Sequence, residues 1–133
     1  MNAILVVSHS AEAARGIVAI ASQMAGERVG IAACGGTDDG ELGTSVPSIL
    51  SALEGLLETS DGVLVIPDLG SAVLAARTAK DLLGERAAGR VLIADGPVLE
   101  GTLMASVEAS VGAGLDRLAA VVDETRGLRK LQE

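Results

Sequence analysis

The single histidine of the chain, His9, is the residue best suited to carry out chemistry. It lies between two serines, Ser8 and Ser10, whose hydroxyls are candidates for capping the following helix. These three residues follow a short apolar run at residues 4–7. An imidazole acts as a nucleophile through Nε2 when a carboxylate accepts the hydrogen bond from Nδ1–H and so fixes the tautomer. Asp68, which follows another apolar run, is the carboxylate that we expect to orient His9. The pair therefore predicts a nucleophile and its orienting group.

Glycines and hydroxyl groups follow two of the apolar runs and are candidates for binding a phosphoryl group. Gly35, Gly36 and Thr37 come after the second run, and Ser71 comes shortly after the third. Backbone N–H groups of glycine-rich turns and helix starts bind phosphate oxygens, so we expect these four residues to do so. Ordinary turn chemistry remains open for the two glycines, as does helix capping for Asp68. The chain lacks the G-x-x-x-x-G-K-S/T loop, which argues against direct nucleotide binding.

Regularly spaced apolar runs predict the elements that position these residues. Each run is nearly continuously apolar, which is typical of strands covered on both faces. Segments with the three-and-four spacing of a helix lie between them, and such alternation indicates a parallel sheet. We predict an α/β fold, a three-layer sandwich with a four-stranded parallel sheet and helices on both faces, in one domain spanning residues 1–133. The predicted strands are residues 4–7, 29–33, 63–66 and 91–94.

The helix boundaries are indicated by capping residues. Gly26 is a plausible C-cap for the first helix, and Ser45 with Pro47 marks the start of the second. A glycine-rich turn at residues 84–89 is expected to close the third helix, and the tail at 126–133 to fray. The predicted helices are residues 13–24, 46–57, 72–83, 99–111 and 115–125. Because the carboxyl ends of parallel strands share one edge, the site residues are expected to meet in one crevice.

Several other polar residues near the predicted strand ends receive weaker assignments. Asp38 and Asp39 are expected on a solvated loop, and Asp95 is compatible with either a cap or a site role. Cys34 is the only cysteine, so no intramolecular disulfide can form, and a small buried hydrophobe is the expected role for it. One histidine is also too few for a metal site, and we expect no metal.

The composition excludes several classes of function. The chain has no Phe, Tyr or Trp and a net charge of −8, which argues against base stacking and against binding nucleic acid. It is nonetheless 49% hydrophobic, enough apolar surface to form a core. The apolar start lacks the basic residues of a signal peptide, and no run approaches the length of a membrane helix. We therefore expect a cytoplasmic protein without contact to membranes.

Three motifs resemble a known family. They are V-V-S-H-S at residues 6–10, P-D-L-G-S-A at 67–72 and G-P-V-L-E-G-T-L at 96–103, with Gly43-Thr44 fitting as well. In this order and spacing they resemble the mannose-type enzyme IIA family of the phosphotransferase system (PTS), specifically its dihydroxyacetone kinase branch. Sugar-type members carry D-L-x-G-G-S/T-P after the third strand. The turn at 68–72 lacks that double glycine and proline, which favours the dihydroxyacetone branch.

The resemblance implies a function for the crevice. His9 would carry the phosphoryl group on Nε2, oriented by Asp68, with no cofactor. The donor would be the histidine-containing phosphocarrier protein, charged from phosphoenolpyruvate by enzyme I. The acceptor would be ADP held on the nucleotide-binding dihydroxyacetone kinase subunit. The family also implies a homodimer, and because longer members append further phosphocarrier domains, we expect this chain to rely on separate proteins for them.

There are four alternatives to this interpretation. A sugar transporter enzyme IIA component shares the chemistry and differs only in the acceptor. A chelatase-type domain also places a histidine after its first strand but needs a second imidazole. A receiver domain needs acidic residues after the first strand, where this chain has Ser8, His9 and Ser10. It also needs a lysine late in the crevice, and the chain has no lysine between Lys80 and Lys130. A non-catalytic α/β signalling module is the remaining alternative.

Overall fold

The computed structural model describes residues 1–131, within which strands and helices alternate as predicted. A short 3₁₀ turn, Thr125–Gly127, follows the last helix. The elements, in chain order, are β1 (Ala3–Ser8), α1 (Ala11–Ala25), β2 (Ile31–Gly35), α2 (Val46–Thr59), β3 (Val63–Pro67), α3 (Gly70–Asp81), α4 (Glu85–Ala88), β4 (Val91–Ile93), α5 (Val98–Ser110) and α6 (Leu115–Glu124).

The strands form one parallel sheet in the order β2-β1-β3-β4, covered by helices on both faces. Along β1, Leu5 and Val7 pack toward α2 and α3, whereas Ile4 and Val6 pack toward α1, α5 and α6. This alternation produces two apolar cores, one on each face, because successive side chains of a strand point to opposite sides. The predicted three-layer sandwich with four parallel strands is confirmed.

The strand order places a switch point between β1 and β3. The chain leaves β1 to form β2 on one side and later returns to form β3 on the other. Ligands of open parallel sheets bind in the crevice at such a point, outside the carboxyl ends of the strands. Val7 pairs with Pro67 in this register, so the residues that follow β1 and β3 emerge side by side.

Local capping determines where α1 and α2 begin and end. The side chain of Ser10 accepts a hydrogen bond from the N–H of Ala13 at the start of α1, and Gly26 ends that helix with φ of 78°. Ser45 accepts from Ser48 at the start of α2, with Pro47 in the first turn. These capping predictions are confirmed. Within the described residues, no helix combines the length and the apolar character needed to cross a membrane.

The structure corrects three predicted boundaries. The second strand lies at Ile31–Gly35 rather than 29–33, because its pairing runs to Gly35 beside the last residue of β1. α3 begins two residues before the predicted start, since no side chain caps it and the sequence therefore carries no signal there. The predicted turn at 84–89 contains the short helix Glu85–Ala88, with a glycine at each end.

Candidate functional site

His9 lies immediately beyond β1, in the two-residue link to α1, at the switch point of the sheet. Its side chain is 26% exposed. The backbone is held on two sides: the N–H of His9 donates to the carboxylate of Asp68, and its carbonyl accepts from the N–H of Gly43 at 2.8 Å. The loop after β2 therefore anchors the main chain of the histidine, although it comes from a different strand.

Asp68 holds His9 from the neighbouring strand end. Its Oδ1 accepts a hydrogen bond from Nδ1 of His9 at 3.0 Å, and its Oδ2 accepts from the hydroxyl of Ser8 at 2.7 Å. The N–H of Asp68 donates to the carbonyl of Val7 at 3.0 Å, so the sheet itself positions the carboxylate. The helix-capping alternative for Asp68 is not observed, because Leu69 is the N-cap of α3 and no side chain caps that helix.

Hydrogen bonding keeps the carboxylate of Asp68 ionised. Desolvation by partial burial raises the pKa of Asp68, but hydrogen bonds from Ser8 and from the imidazole and N–H of His9 outweigh it, so the pKa lies below its ordinary value of 3.8. An ionised carboxylate only accepts hydrogen bonds, so Nδ1 must carry the hydrogen in this contact. In neutral His9 the lone pair is then on Nε2, where a nucleophile needs it.

Nε2 of His9 faces the start of α3, where the hydroxyl of Ser71 is in hydrogen-bond contact with it. The first turn of α3 has no side-chain cap, so its leading N–H groups are not occupied by a side chain. A β-carbon placed on Gly70, the first residue of α3, would meet no atom within 4 Å, so the side-chain position of this residue is open. Open N–H groups at a helix start favour an anion.

The glycines at the end of β2 serve a different purpose in this structure. A β-carbon on Gly35 would lie 2.5 Å from the carbonyl oxygen of Ser10, so glycine is required for β2 to approach the start of α1. Gly36 adopts φ of 80°, in the left-handed region. Thr37 closes the loop onto Glu41, because its N–H donates to the Glu41 carbonyl and its hydroxyl accepts from the Glu41 N–H. Phosphate binding by residues 35–37 stays a prediction.

The remaining acidic residues near the strand ends lie away from the imidazole contacts. Asp38 and Asp39 are exposed on the loop after β2 as predicted, and Asp38 accepts a hydrogen bond from the Ser45 hydroxyl. Asp95 is 96% exposed and forms an ion pair with Arg126 at 2.7 Å. It is not a helix cap, since Pro97 is the N-cap of α5.

Cys34 lies in β2 and is half-buried rather than fully buried. Its Sγ donates to the carbonyl of Ser48 at 3.6 Å, and it packs against the core beneath α2. Burial raises the pKa of the Cys34 thiol, which keeps it in the neutral form. These properties match those of a small packing residue.

Two contributors to the site were missed by sequence reasoning. Ser8 is buried and its hydroxyl donates to Asp68, whereas the sequence suggests only a helix-capping role for it. Gly43 supplies the N–H that holds the His9 carbonyl. The sequence does carry a signal for Ser8, because it is a polar residue at the end of an apolar strand and next to the histidine. It carries no local signal for Gly43, because that contact joins segments that are distant in the chain.

Comparison with known proteins gives a consistent set of similarities. The family model described as "PTS system fructose IIA component" (EIIA-man) matches residues 3–119. A protein of Pantoea ananatis, named PEP-dependent dihydroxyacetone kinase, phosphoryl donor subunit DhaM, is 38% identical over 97% of this chain. The chain spans only 28% of that relative's length. A Listeria innocua protein, the phosphoryl donor subunit DhaM of PEP-dependent dihydroxyacetone kinase 2, is 35% identical over 84% of this chain and 88% of its own.

Solved structures support the same fold. The crystal structure of the unknown function protein EF1359 is 32% identical, with a TM-score of 0.81 over 91% of this chain and 92% of that one. The phosphotransferase system component EIIA from Streptococcus agalactiae superposes with a TM-score of 0.70 over 98% of this chain and 97% of its own. At 18% identity, that second similarity bears on the fold alone.

Proposed function

Because the chain belongs to the family of PTS system fructose IIA components, we propose that it is a phosphohistidine carrier in which Nε2 of His9 accepts and passes on a phosphoryl group. The observation that carries this proposal is the 3.0 Å hydrogen bond from Nδ1 of His9 to Asp68 at the switch point of the sheet. That contact leaves the Nε2 lone pair facing Ser71 at the start of α3, where no side chain caps the helix.

In the proposed transfer the imidazole is the only group of this chain that forms a covalent bond to phosphorus. The Nε2 lone pair attacks the phosphorus of a phosphorylated donor, and the bond from phosphorus to the donor breaks with its electron pair remaining on the donor. Nδ1 keeps its hydrogen, so the ring becomes positively charged, and the ionised Asp68 beside it stabilises that charge. In the second transfer an acceptor oxygen attacks the phosphorus, and the electron pair of the N–P bond returns to Nε2.

Ser71 and the start of α3 are proposed to hold the phosphoryl oxygens. The Ser71 hydroxyl already contacts Nε2, and Ser71 lies in the first turn of α3, which no side chain caps. Charge-assisted hydrogen bonds of this kind stabilise the transferred group without a metal ion. Because Thr37 is engaged with Glu41, we assign it no part in the first contact with the phosphoryl group.

For partners we propose a relay. The donor is the histidine-containing phosphocarrier protein, and the acceptor is ADP held on the nucleotide-binding dihydroxyacetone kinase subunit. The names of the relatives, phosphoryl donor subunits of dihydroxyacetone kinases, support this choice, as does the D-L-G-S-A turn at 68–72. Leu42 and Leu69, respectively 79% and 61% exposed, adjoin Gly43 and Asp68, which both hydrogen-bond His9. Exposed apolar side chains suit a protein partner.

A sugar transporter enzyme IIA component is the second candidate, favoured by the description of the matching family. Its chemistry at His9 would be the same, and only the acceptor would differ. We further propose that the chain acts in the cytoplasm as a homodimer. Sedimentation at micromolar concentration tests the dimer, and a monomer there would contradict it.

The experiment for the carrier function is labelling from phosphoenolpyruvate. The chain is incubated with enzyme I, the histidine-containing phosphocarrier protein and labelled phosphoenolpyruvate, and an acid-labile, base-stable phosphate on this chain is expected. His9→Ala is expected to abolish labelling without unfolding the protein, because the side chain lies in a crevice outside both cores. Full labelling of that variant would overturn the proposal. Adding the ADP-loaded kinase subunit or a sugar transporter component then identifies the acceptor.

A further inference from the structure

Ser8 is a buried hydroxyl at the end of an otherwise apolar strand. It is 2% exposed, whereas every other residue of β1 is an apolar side chain. Burying a hydroxyl costs free energy unless it is hydrogen-bonded, so a serine at this place requires a partner. The hydrogen bonds of Ser8 therefore explain why a serine, and not a valine or alanine, ends the strand.

The direction of the Ser8 hydrogen bond is determined by its surroundings. The N–H of Ser10 donates to the Ser8 oxygen at 3.1 Å, so that oxygen acts there as an acceptor. The hydroxyl hydrogen is directed to Oδ2 of Asp68, which lies 2.7 Å from the Ser8 oxygen. Because an ionised carboxylate has no hydrogen to give, Ser8 must be the donor in this contact.

Two donors from β1 and its link therefore hold one oxygen of the carboxylate, and this leaves the other for the imidazole. Oδ2 of Asp68 receives the Ser8 hydroxyl and the N–H of His9, while Oδ1 receives Nδ1 of His9. A carboxylate held at Oδ2 has little freedom to rotate about its Cβ–Cγ bond. The hydrogen bonds from Ser8 and from the His9 N–H therefore fix the plane of the carboxylate, and with it the position of Oδ1 relative to the imidazole.

We propose that Ser8 is a positioning residue that locks the carboxylate of Asp68 so that neutral His9 carries its hydrogen on Nδ1 and its lone pair on Nε2. The proposal deepens the carrier function proposed above and rests on it for its kinetic consequence. Ser8 does not touch the phosphoryl group or a partner, since it is buried beneath the site.

The composition of the chain makes a direct measurement practical. With one histidine and no Phe, Tyr or Trp, the ring C–H protons of His9 are the only aromatic C–H protons of the chain. Long-range ¹H–¹⁵N correlation spectra of the unphosphorylated protein report which ring nitrogen carries the hydrogen. In the neutral ring of the wild type we expect the Nδ1–H tautomer to dominate.

In Ser8→Ala we expect the Nε2–H tautomer to become populated and the turnover rate of phosphoryl uptake to fall about tenfold. The KM for the phosphorylated donor protein is expected to stay unchanged, because the buried hydroxyl cannot contact the donor. Ser8→Thr keeps the hydroxyl and is expected to restore the tautomer and the rate. Ser8→Cys keeps the packing volume with a weak donor and is expected to fall between the two.

Ser10→Ala is the matched control. Ser10 lies two residues away and its side chain caps α1 without contacting Asp68, so this variant is expected to lower the melting temperature and leave the tautomer unchanged. Other charged residues near the link, Glu12 and Arg15 of α1 and Glu41 of the loop, are exposed and identical in all variants. The spectra are compared at one ionic strength to keep their contribution constant.

The outcomes separate the two proposals. A wild-type tautomer and rate in Ser8→Ala, or in Ser8→Cys if the alanine variant does not fold, would overturn the role of Ser8. A shift of the same size in Ser10→Ala would also overturn it, because the effect would then come from general loosening. If His9 is never labelled from phosphoenolpyruvate, the carrier function fails, yet the tautomer of the unphosphorylated ring still tests Ser8.

Discussion

Two glycine-containing segments, which look alike in the sequence, behave differently in the fold. The β2 loop (residues 36–44) is closed on itself by Thr37 and Glu41, and a β-carbon on Gly35, the strand residue before it, would collide with the backbone of Ser10. The β3 turn (residues 68–71) has no side-chain cap, and a β-carbon on Gly70 would meet open space. A glycine after a strand can therefore serve close packing or leave room for a ligand, and only the surrounding atoms distinguish these roles.

The largest expected difference between the two segments is in stability. Gly35→Ala is expected to lower the free energy of unfolding by about 3 kcal/mol, because the new methyl group would lie 2.5 Å from a backbone oxygen that cannot move freely. Gly70→Ala, the matched control, is expected to change it by less than about 1 kcal/mol, since the site is open and alanine favours helix. Urea denaturation measures both, and equal effects would contradict the comparison.

The next largest effect concerns the carboxylate of the β3 turn. Asp68→Asn is expected to slow phosphoryl uptake roughly 10- to 100-fold without abolishing it, because the amide no longer fixes the tautomer of His9. Asp38→Asn in the β2 loop is the control, with a change below about twofold, since Asp38 is exposed and bonds Ser45 rather than the imidazole. Single-turnover labelling measures the phosphoryl uptake rates of both variants and of the wild type. An unchanged rate in Asp68→Asn would leave that residue a structural role only.

A smaller pair of effects separates the hydroxyl groups of the two segments. Ser71→Ala is expected to slow phosphoryl uptake about fivefold while changing stability by less than about 0.5 kcal/mol, because Ser71 is exposed beside Nε2. Thr37→Ala is expected to cost about 1 kcal/mol of stability and to leave the uptake rate within about twofold, because its hydroxyl closes the loop. A rate loss in Thr37→Ala as large as that in Ser71→Ala would support the predicted phosphate binding by the β2 loop.

The smallest effect is the pH dependence of stability from Asp68. Its pKa in the folded protein lies below the ordinary value of 3.8, so the folded state favours the ionised form. The stabilisation is fully present above that ordinary value and is lost as the pH falls through the folded pKa. The difference in free energy of unfolding between wild type and Asp68→Asn should therefore be constant near neutral pH and shrink in acid. Denaturant titrations from pH 7 downward measure it, and a difference that grew in acid would contradict this sign.

The sequence predicted the architecture because the signals for it are local. β1 and β3 are apolar on both faces, and each was placed within one residue of its observed end. The caps Ser10 and Ser45 act on the residues that follow them, so their role was readable. The end of β2 was not readable, because Gly35 belongs to that strand only through its pairing with Ser8.

What the sequence determined by itself was the type of fold and the residue for the chemistry. Apolar periodicity imposes a layered α/β domain, and one histidine after a buried strand leaves a single candidate nucleophile. The tertiary structure decided which groups surround that histidine. Ser8, Asp68 and Ser71 converge on it because β1 and β3 are neighbours, whereas Thr37 turns back on its own loop. Contacts across strands depend on sheet order and register, and no local pattern in the chain encodes them.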